Sequence, residues 1–330
     1  MKIGYITESF TGCKGNGITS QALNWANMLN HEHENMISLI SPWSPVNWEK
    51  GDIVHIFGSS NTWFWDVANN LKKKGCRIFW SPICDNTDSP WFQKIKSHCG
   101  FKKLQLFSQP YIRKETCKIV DKIFVRSKYE QDYLTKAYCI PSEKIILVPL
   151  AFSADDNDKF DNNKEPFCLH ISSIYQSRKN VLRLISAAKK YNFHLKLAGN
   201  KGSLEQYKPI QEAIKGCNNI EVLGFISESE KKQLYRSAKV FALPSLKEGV
   251  GIVALDAAHY GCEVVITNIG GPKEYFGDLA YPVNPYDIDD IGKNILTALH
   301  EGQQPKLKEF VDSHFSPKII TKWLLKIYGV

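Results

Sequence analysis

The sequence predicts an α/β protein of two doubly wound domains, each a mostly parallel sheet covered by helices, facing each other across a cleft. Three observations carry this. Short apolar runs alternate with helical stretches along nearly all of the 330 residues, the rhythm of repeated βα units. The strand runs are continuously apolar instead of alternating, as expected of strands buried on both faces. The rhythm halts once, in the polar, Asp/Asn-rich stretch FSADDNDKFDNNKEP, and then restarts. Domains are therefore expected at 1–150 and 167–330 with a linker at 151–166, in keeping with roughly one domain per 150 residues.

In order, strands are expected at residues 1–7, 36–40, 52–57, 77–81, 122–126 and 145–148. Helices are expected between them at 18–29, 65–74, 109–120 and 129–137. After the linker come strands at 167–171, 194–198, 220–223, 240–243 and 263–267. The helices there are 180–190, 204–214, 228–237, 252–260, 287–300 and 318–328. In doubly wound sheets ligands sit beyond the carboxyl ends of the strands. Two such Rossmann-like domains would share one cleft, one holding a nucleotide and the other presenting a second substrate.

Composition narrows the class. Of the net charge of +8, +6 falls in residues 1–150, which hold 19 Lys/Arg and 13 Asp/Glu. Between positions 72 and 103 stand Lys72, Lys73, Lys74, Arg77, Lys94, Lys96, Lys102 and Lys103 against Asp85 and Asp88. Two readings stay open: a solvated helix face, or a peripheral contact with anionic lipid at the inner face of a membrane. The charge is too diffuse, and recognition motifs too absent, for nucleic acid. Nine cysteines without a CxxC pair or zinc spacing read as free thiols of a reducing cytosol. Met1-Lys2 leads straight into an apolar strand, so no signal peptide is expected, and no run approaches the ~18 apolar residues of a membrane span.

The most informative stretch is LPSLKEGVGIVALDAAHYGCEVVITNIGGPKEYFGD, residues 243–278. Gly249 and Gly251 allow backbone to approach a ligand closely, and the helix start beside Val250 and Ile252 offers unpaired amides and a positive dipole end to a diphosphate. Glu248 and Asp256 are eight positions apart, just over two helical turns, which predicts one shared face. The pattern of Pro244, Ser245, Glu248, Gly249, Gly251, Asp256, Gly261, Val264, Val265, Gly270, Gly271 and Glu274 resembles the signature of family-4-type retaining glycosyltransferases of the GT-B fold (glycosyl transferases group 1). The resemblance implies that Glu248 contacts the transferred sugar and Asp256 grips the ribose hydroxyls, although the second acid of that family is usually Glu.

A second segment, HISSIYQSRKN (170–180), resembles the strand-end loop whose cations neutralise the donor diphosphate. Arg178 and Lys179 take that part, with Ser172 where relatives often carry an Arg. A third, TGCKGNGI (11–18), resembles the glycine-rich loop near donor and acceptor, with Gly15 and Gly17 as candidates. Residues 121–150 (DKIFVRSKYEQDYL and EKIILVPL) resemble the family's first-domain ending. The histidine that many relatives carry after the fourth strand is absent from Ser81-Pro82-Ile83-Cys84-Asp85. Asp85 is the candidate in its place, and His55 is either an acceptor contact or a satisfied strand histidine. Seven of eight tryptophans precede position 92. Trp63 and Trp91 are acceptor candidates, against ordinary core packing.

The resemblance implies a hexosyltransferase that moves a sugar from a nucleotide-sugar to a glycan or lipid-linked acceptor with retention. The product would be a surface polysaccharide or similar glycoconjugate, made on the cytoplasmic side. No DxD-type motif stands in the expected context, since Asp155-Asp156 and Asp289-Asp290 are plain acidic pairs, so neither metal nor cofactor is expected. The alternatives are a nucleotide-sugar 2-epimerase, which needs more cleft acids and a histidine, and a non-catalytic nucleotide-sugar-binding protein on a degenerate fold. A dehydrogenase is disfavoured, because the first βα loop lacks a full GxGxxG and no acid ends the second strand.

Overall fold

The computed structural model describes residues 1–7, 17–41, 45–58, 61–84, 88–101, 104, 106–153 and 163–330. The chain divides into two compact units, one of Met1–Leu150 with Lys318–Val330 and one of Ala151–Pro317.

In the first unit β1 (Ile3–Thr7), α1 (Gly17–Glu32), β2 (Ile37–Leu39), β3 (Ile53–Phe57), α2 (Thr62–Lys73) and β4 (Arg77–Ser81) follow the expected rhythm. Next come α3 (Pro90–Lys96) and a small antiparallel hairpin of β5 (Gly100–Phe101) and β6 (Leu106–Phe107), which sequence reading did not mark. The unit continues with α4 (Gln109–Ile119), β7 (Lys122–Val125), α5 (Lys128–Tyr138) and β8 (Ile145–Leu147). The sheet order is β2-β1-β3-β4-β7-β8, all parallel. Its central strands are buried on both faces, with Val54, Ile56, Ile78, Trp80, Ile123 and Val125 in one core cluster, which explains their continuous apolarity.

The second unit holds β9 (Glu165–Ile171), α6 (Val181–Tyr191), β10 (His194–Ala198), α7 (Leu204–Ile214), β11 (Ile220–Gly224) and α8 (Glu228–Ser237). It goes on through β12 (Ala238–Leu243), α9 (Ile252–His259), β13 (Glu263–Thr267), β14 (Tyr281–Val283), α10 (Ile288–His300) and α11 (Lys306–Phe315). Its parallel sheet runs β11-β10-β9-β12-β13-β14. The order reverses between β9 and β12, so the crevice beyond their carboxyl ends is the ligand position of this fold.

The final helix, α12 (Pro317–Tyr328), corrects the expected domain end at residue 330. Its Tyr328 is fully buried, and its hydroxyl lies 2.7 Å from the Tyr5 hydroxyl and 2.7 Å from His55 Nδ1. The Tyr328 ring stacks on Phe79 at 5.9 Å. Burying that ring and its two polar partners in the first unit outweighs the helix's place in sequence after the second. Tyr328→Phe leaves the ring in place and removes one partner from each of two buried groups. It is expected to cost about 1–3 kcal/mol, read as a lower urea midpoint, and an unchanged midpoint would count against this anchoring.

Candidate active site

Two loops of the second unit meet at the switch point. The one after β9 carries Ser172, Arg178 and Lys179, and the one after β12 carries Pro244 to Gly251. Backbone links them: the Leu246 amide donates to the Arg178 carbonyl at 2.8 Å. Asn180, in the left-handed region at φ 61°, ties the loops down by donating Nδ2 to the Pro244 carbonyl at 2.9 Å and to the Pro285 carbonyl at 2.6 Å.

At this junction Lys179 Nζ stands 2.5 Å from Glu248 Oε2, both side chains only 11% exposed. Ser245 Oγ donates to the same Glu248 oxygen at 3.2 Å. The structure thus unites two of the three residues expected to do the chemistry. The third, Arg178, is adjacent in sequence but exposed, with its Nε on Gln176 Oε1 at 2.9 Å.

The expected shared helical face of Glu248 and Asp256 is not observed. Gly251 sits at φ +78°, a left-handed N-cap, so α9 begins only at Ile252 and Glu248 belongs to the loop before it. A Cβ on Gly251 would lie 2.9 Å from Leu243 Cδ2, and one on Gly270 2.8 Å from the Glu248 carbonyl. These glycines let the loop fold back on itself and present Glu248. Gly249 and Val250 are buried beside it, while Ile252 is half-buried at the helix start.

Asp256 is 4% exposed, and its Oδ1 accepts the Ser153 amide at 2.6 Å. Burial is the largest influence on it and raises its pKa. Its ionisable neighbours are Lys231, His259 and Glu228, a different set from that around Glu248.

Helix capping separates this junction from the rest of the sheet. α7 and α8 begin with complete capping boxes at Ser203/Gln206 and Ser227/Glu230, and α10 is capped by Asp287. α6 and α9, which follow the adjacent strands β9 and β12, begin without a side-chain cap. Helix starts without a side-chain cap, α11 being another in this unit, are of the kind that can receive an anion.

Sequence reading missed His170. It is fully buried, with Nδ1 2.7 Å from the Ala242 carbonyl and Nε2 2.7 Å from Ser172 Oγ. Burial, aided by the Lys179 charge, pushes its pKa down to about 4, so the ring is neutral at pH 7. A carbonyl only accepts, so Nδ1 carries the proton and Nε2 accepts from the Ser172 hydroxyl. Ser172, the donor-binding candidate in the place of the relatives' Arg, has therefore already committed its hydroxyl proton. A Cβ on Gly199 would lie 1.8 Å from the Ser172 carbonyl, so β10 also presses on this loop. The only sequence signal was a histidine two positions before a strand-end serine.

The first-unit candidates divide. His55 is fully buried, its Nε2 2.9 Å from Ser81 Oγ and its ring 4.3 Å from Phe57. Burial drives its pKa well below the usual value. It is a satisfied core histidine with no surface for an acceptor. Trp63 (39% exposed) and Trp91 (70%) lie at the surface on α2 and α3. A Cβ on Gly17, the first residue of α1, would meet open space. Gly15 and Asp85 lie outside the described residues. Among the described residues no group of three or more His, Cys, Asp or Glu side chains is placed to hold a metal ion, and no helix is long and apolar enough to cross a membrane.

Comparison with known proteins agrees with this architecture. Residues 152–312 match the family model "Glycosyl transferases group 1". The O-antigen chain mannosyltransferase B of Escherichia coli is 26% identical over 198 residues, covering 54% of this chain and 51% of that protein; the chain thus spans about half of that relative. Among solved structures, the sucrose-phosphate synthase of Thermosynechococcus elongatus superposes with a TM-score of 0.74 at 14% identity, covering 100% of this chain and 98% of that one. Anabaena HepE, in complex with UDP and glucose, does so with 0.72 at 13% identity, covering 100% and 99%. The match to the glycosyl transferases group 1 model thus lies in the second unit, and the two Rossmann-like sheets share the GT-B fold of those solved structures.

Proposed function

We propose that the protein is a retaining glycosyltransferase that moves a sugar from a nucleoside-diphosphate donor to a glycan or lipid-linked acceptor, in surface polysaccharide or glycoconjugate synthesis. The observation that carries this is the buried Lys179–Glu248–Ser245 cluster beside two uncapped helix starts at the switch point. The diphosphate takes the first amides of α9, with Lys179 and Arg178 as its counter-charges. Glu248 accepts from hydroxyls of the transferred sugar. The sugar–phosphate C–O bond breaks as the acceptor oxygen bonds to the same face of that carbon, and the acceptor proton passes to the leaving phosphate. No metal is required for this distribution of charge. The UDP and glucose held by Anabaena HepE support a donor of this chemistry.

Asp256 takes a positioning part in this reading. Buried on the Ser153 amide, it fixes the entry of the chain into the second unit instead of offering two free oxygens to a ribose. The acceptor side belongs to the first unit, whose basic charge suits peripheral contact with the inner face of an anionic membrane.

A thermal-shift panel of UDP-, GDP- and ADP-sugars tests the donor. One base class is expected to stabilise the protein by about 2.7 kcal/mol at a hundredfold excess over Kd, and the Arg178→Ala/Lys179→Ala double variant should lose the shift. Silence from every nucleotide-sugar would remove the basis for a donor site.

A further inference from the structure

We infer that α3 and the β5–β6 hairpin form an insertion surface for an anionic lipid bilayer. This deepens the membrane contact proposed for the first unit. Trp91, Phe92, Ile95, Phe101, Leu104 and Leu106 are each between 46% and 70% exposed. All six fall within sixteen consecutive positions, where isolated exposed apolar residues need no explanation but a cluster does.

The packing shows why these side chains are left outside. Only Gln93 and Ser97, one turn apart, are buried on the α3 side, where that helix meets α5. The hairpin is tied to α3 by Ser108 Oγ donating to the Lys96 carbonyl at 2.9 Å. Its base is held from beneath, with Phe107 stacked on Tyr111 at 5.7 Å and met edge-on by Trp65 at 5.9 Å. A fixed platform therefore carries an apolar outer face.

Charge selects the occupant. Positions 91–106 contain Lys94, Lys96, Lys102 and Lys103 and no Asp or Glu. Lys94 and Lys96 are exposed, and Lys96 Nζ lies 4.2 Å from the Phe92 ring centre, a cation–π contact that places the charge beside the apolar face. Protein interfaces are depleted in Lys at their centres. Tryptophan, phenylalanine and leucine interleaved with lysine are the composition of segments that lie in the headgroup region of anionic membranes.

Cosedimentation of the full chain with vesicles tests this. Binding is expected to vesicles of phosphatidylcholine with phosphatidylglycerol, not to phosphatidylcholine alone, and to weaken sharply at ~1 M salt, where the Debye length falls to about 3 Å. At about 1 kcal/mol per cation, Lys94→Glu/Lys96→Glu should weaken partitioning by at least roughly 25-fold. Ile95→Ser/Leu104→Ser should also lower it, with circular dichroism and any donor-induced thermal shift unchanged. No binding to anionic vesicles, or binding indifferent to both variants, overturns the inference. So does a dimer of the unaltered chain that Ile95→Ser/Leu104→Ser dissociates, which would make the patch a contact between copies. A retained donor shift alongside failed vesicle binding leaves the transferase reading intact.

Discussion

Lys179→Met is expected to lower release of nucleoside diphosphate from the donor by about 10²–10³-fold, the usual consequence of removing one preorganised charge from a site of developing negative charge. It should also cost stability. Lys179 and Glu248 are 2.5 Å apart and nearly out of solvent, and removing one partner strands the other's charge at a cost of about 3 kcal/mol. Glu248→Gln should do the same from the other side. The double variant Lys179→Met/Glu248→Gln separates the two effects, because it removes both charges and keeps both shapes. Its urea midpoint should return towards that of the unaltered protein while its turnover stays as low as in either single variant. Should turnover recover together with stability, the pair is scaffold and the proposed site is wrong.

Acid is expected to weaken the protein well before its carboxylates titrate. His170 has its pKa lowered from 6.5 to about 4 by burial, and that of His55 falls well below 6.5 for the same reason. A histidine whose folded pKa is depressed binds fewer protons folded than unfolded. Its contribution is whole above about pH 6.5 and is lost as pH falls towards the folded value. For His170 the loss is about 2 kcal/mol by pH 5 and approaches about 3 kcal/mol near pH 4. His55 adds to it in the first unit with the same sign. Asp256 and Glu263 have pKa values raised by burial, so they act oppositely, favouring the folded state as they protonate. Urea unfolding at pH 7 and pH 5 checks the sum, and a flat midpoint across that interval would show that neither histidine is held neutral. His170→Gln should reduce the pH dependence of the second unit in particular.

The βα rhythm was legible because the central strands are buried on both faces. Strands at 77–81, 194–198 and 263–267 and helices at 204–214 and 228–237 were placed to the residue. Of the elements that escaped, α11 carries a periodic apolar face in Leu307, Val311 and Phe315 and was simply not marked, while the others lack that signal. The seven-residue α3 and the two-residue strands β5 and β6 keep much of their apolar surface outside, and β14 is three residues long with Pro282 inside it. The Glu248 motif was legible as a pattern of residue types, yet its geometry was misjudged. Spacing alone does not reveal that Gly251 takes a left-handed conformation and starts the helix four residues after Glu248.

By itself, then, the sequence determined the two doubly wound units and the glycine-led loop that carries Glu248, because periodicity and glycine placement are local properties, while the segment that carries Lys179 came from resemblance to a family motif. Tertiary structure alone decided the rest. It set Lys179 against Glu248 across 69 positions, spent the Ser172 proton on His170, buried His55 under Tyr328 and left Trp91 outside. Each of these follows from which groups the packed chain removes from water and which partners it then supplies, and that is a property of the assembled sheets.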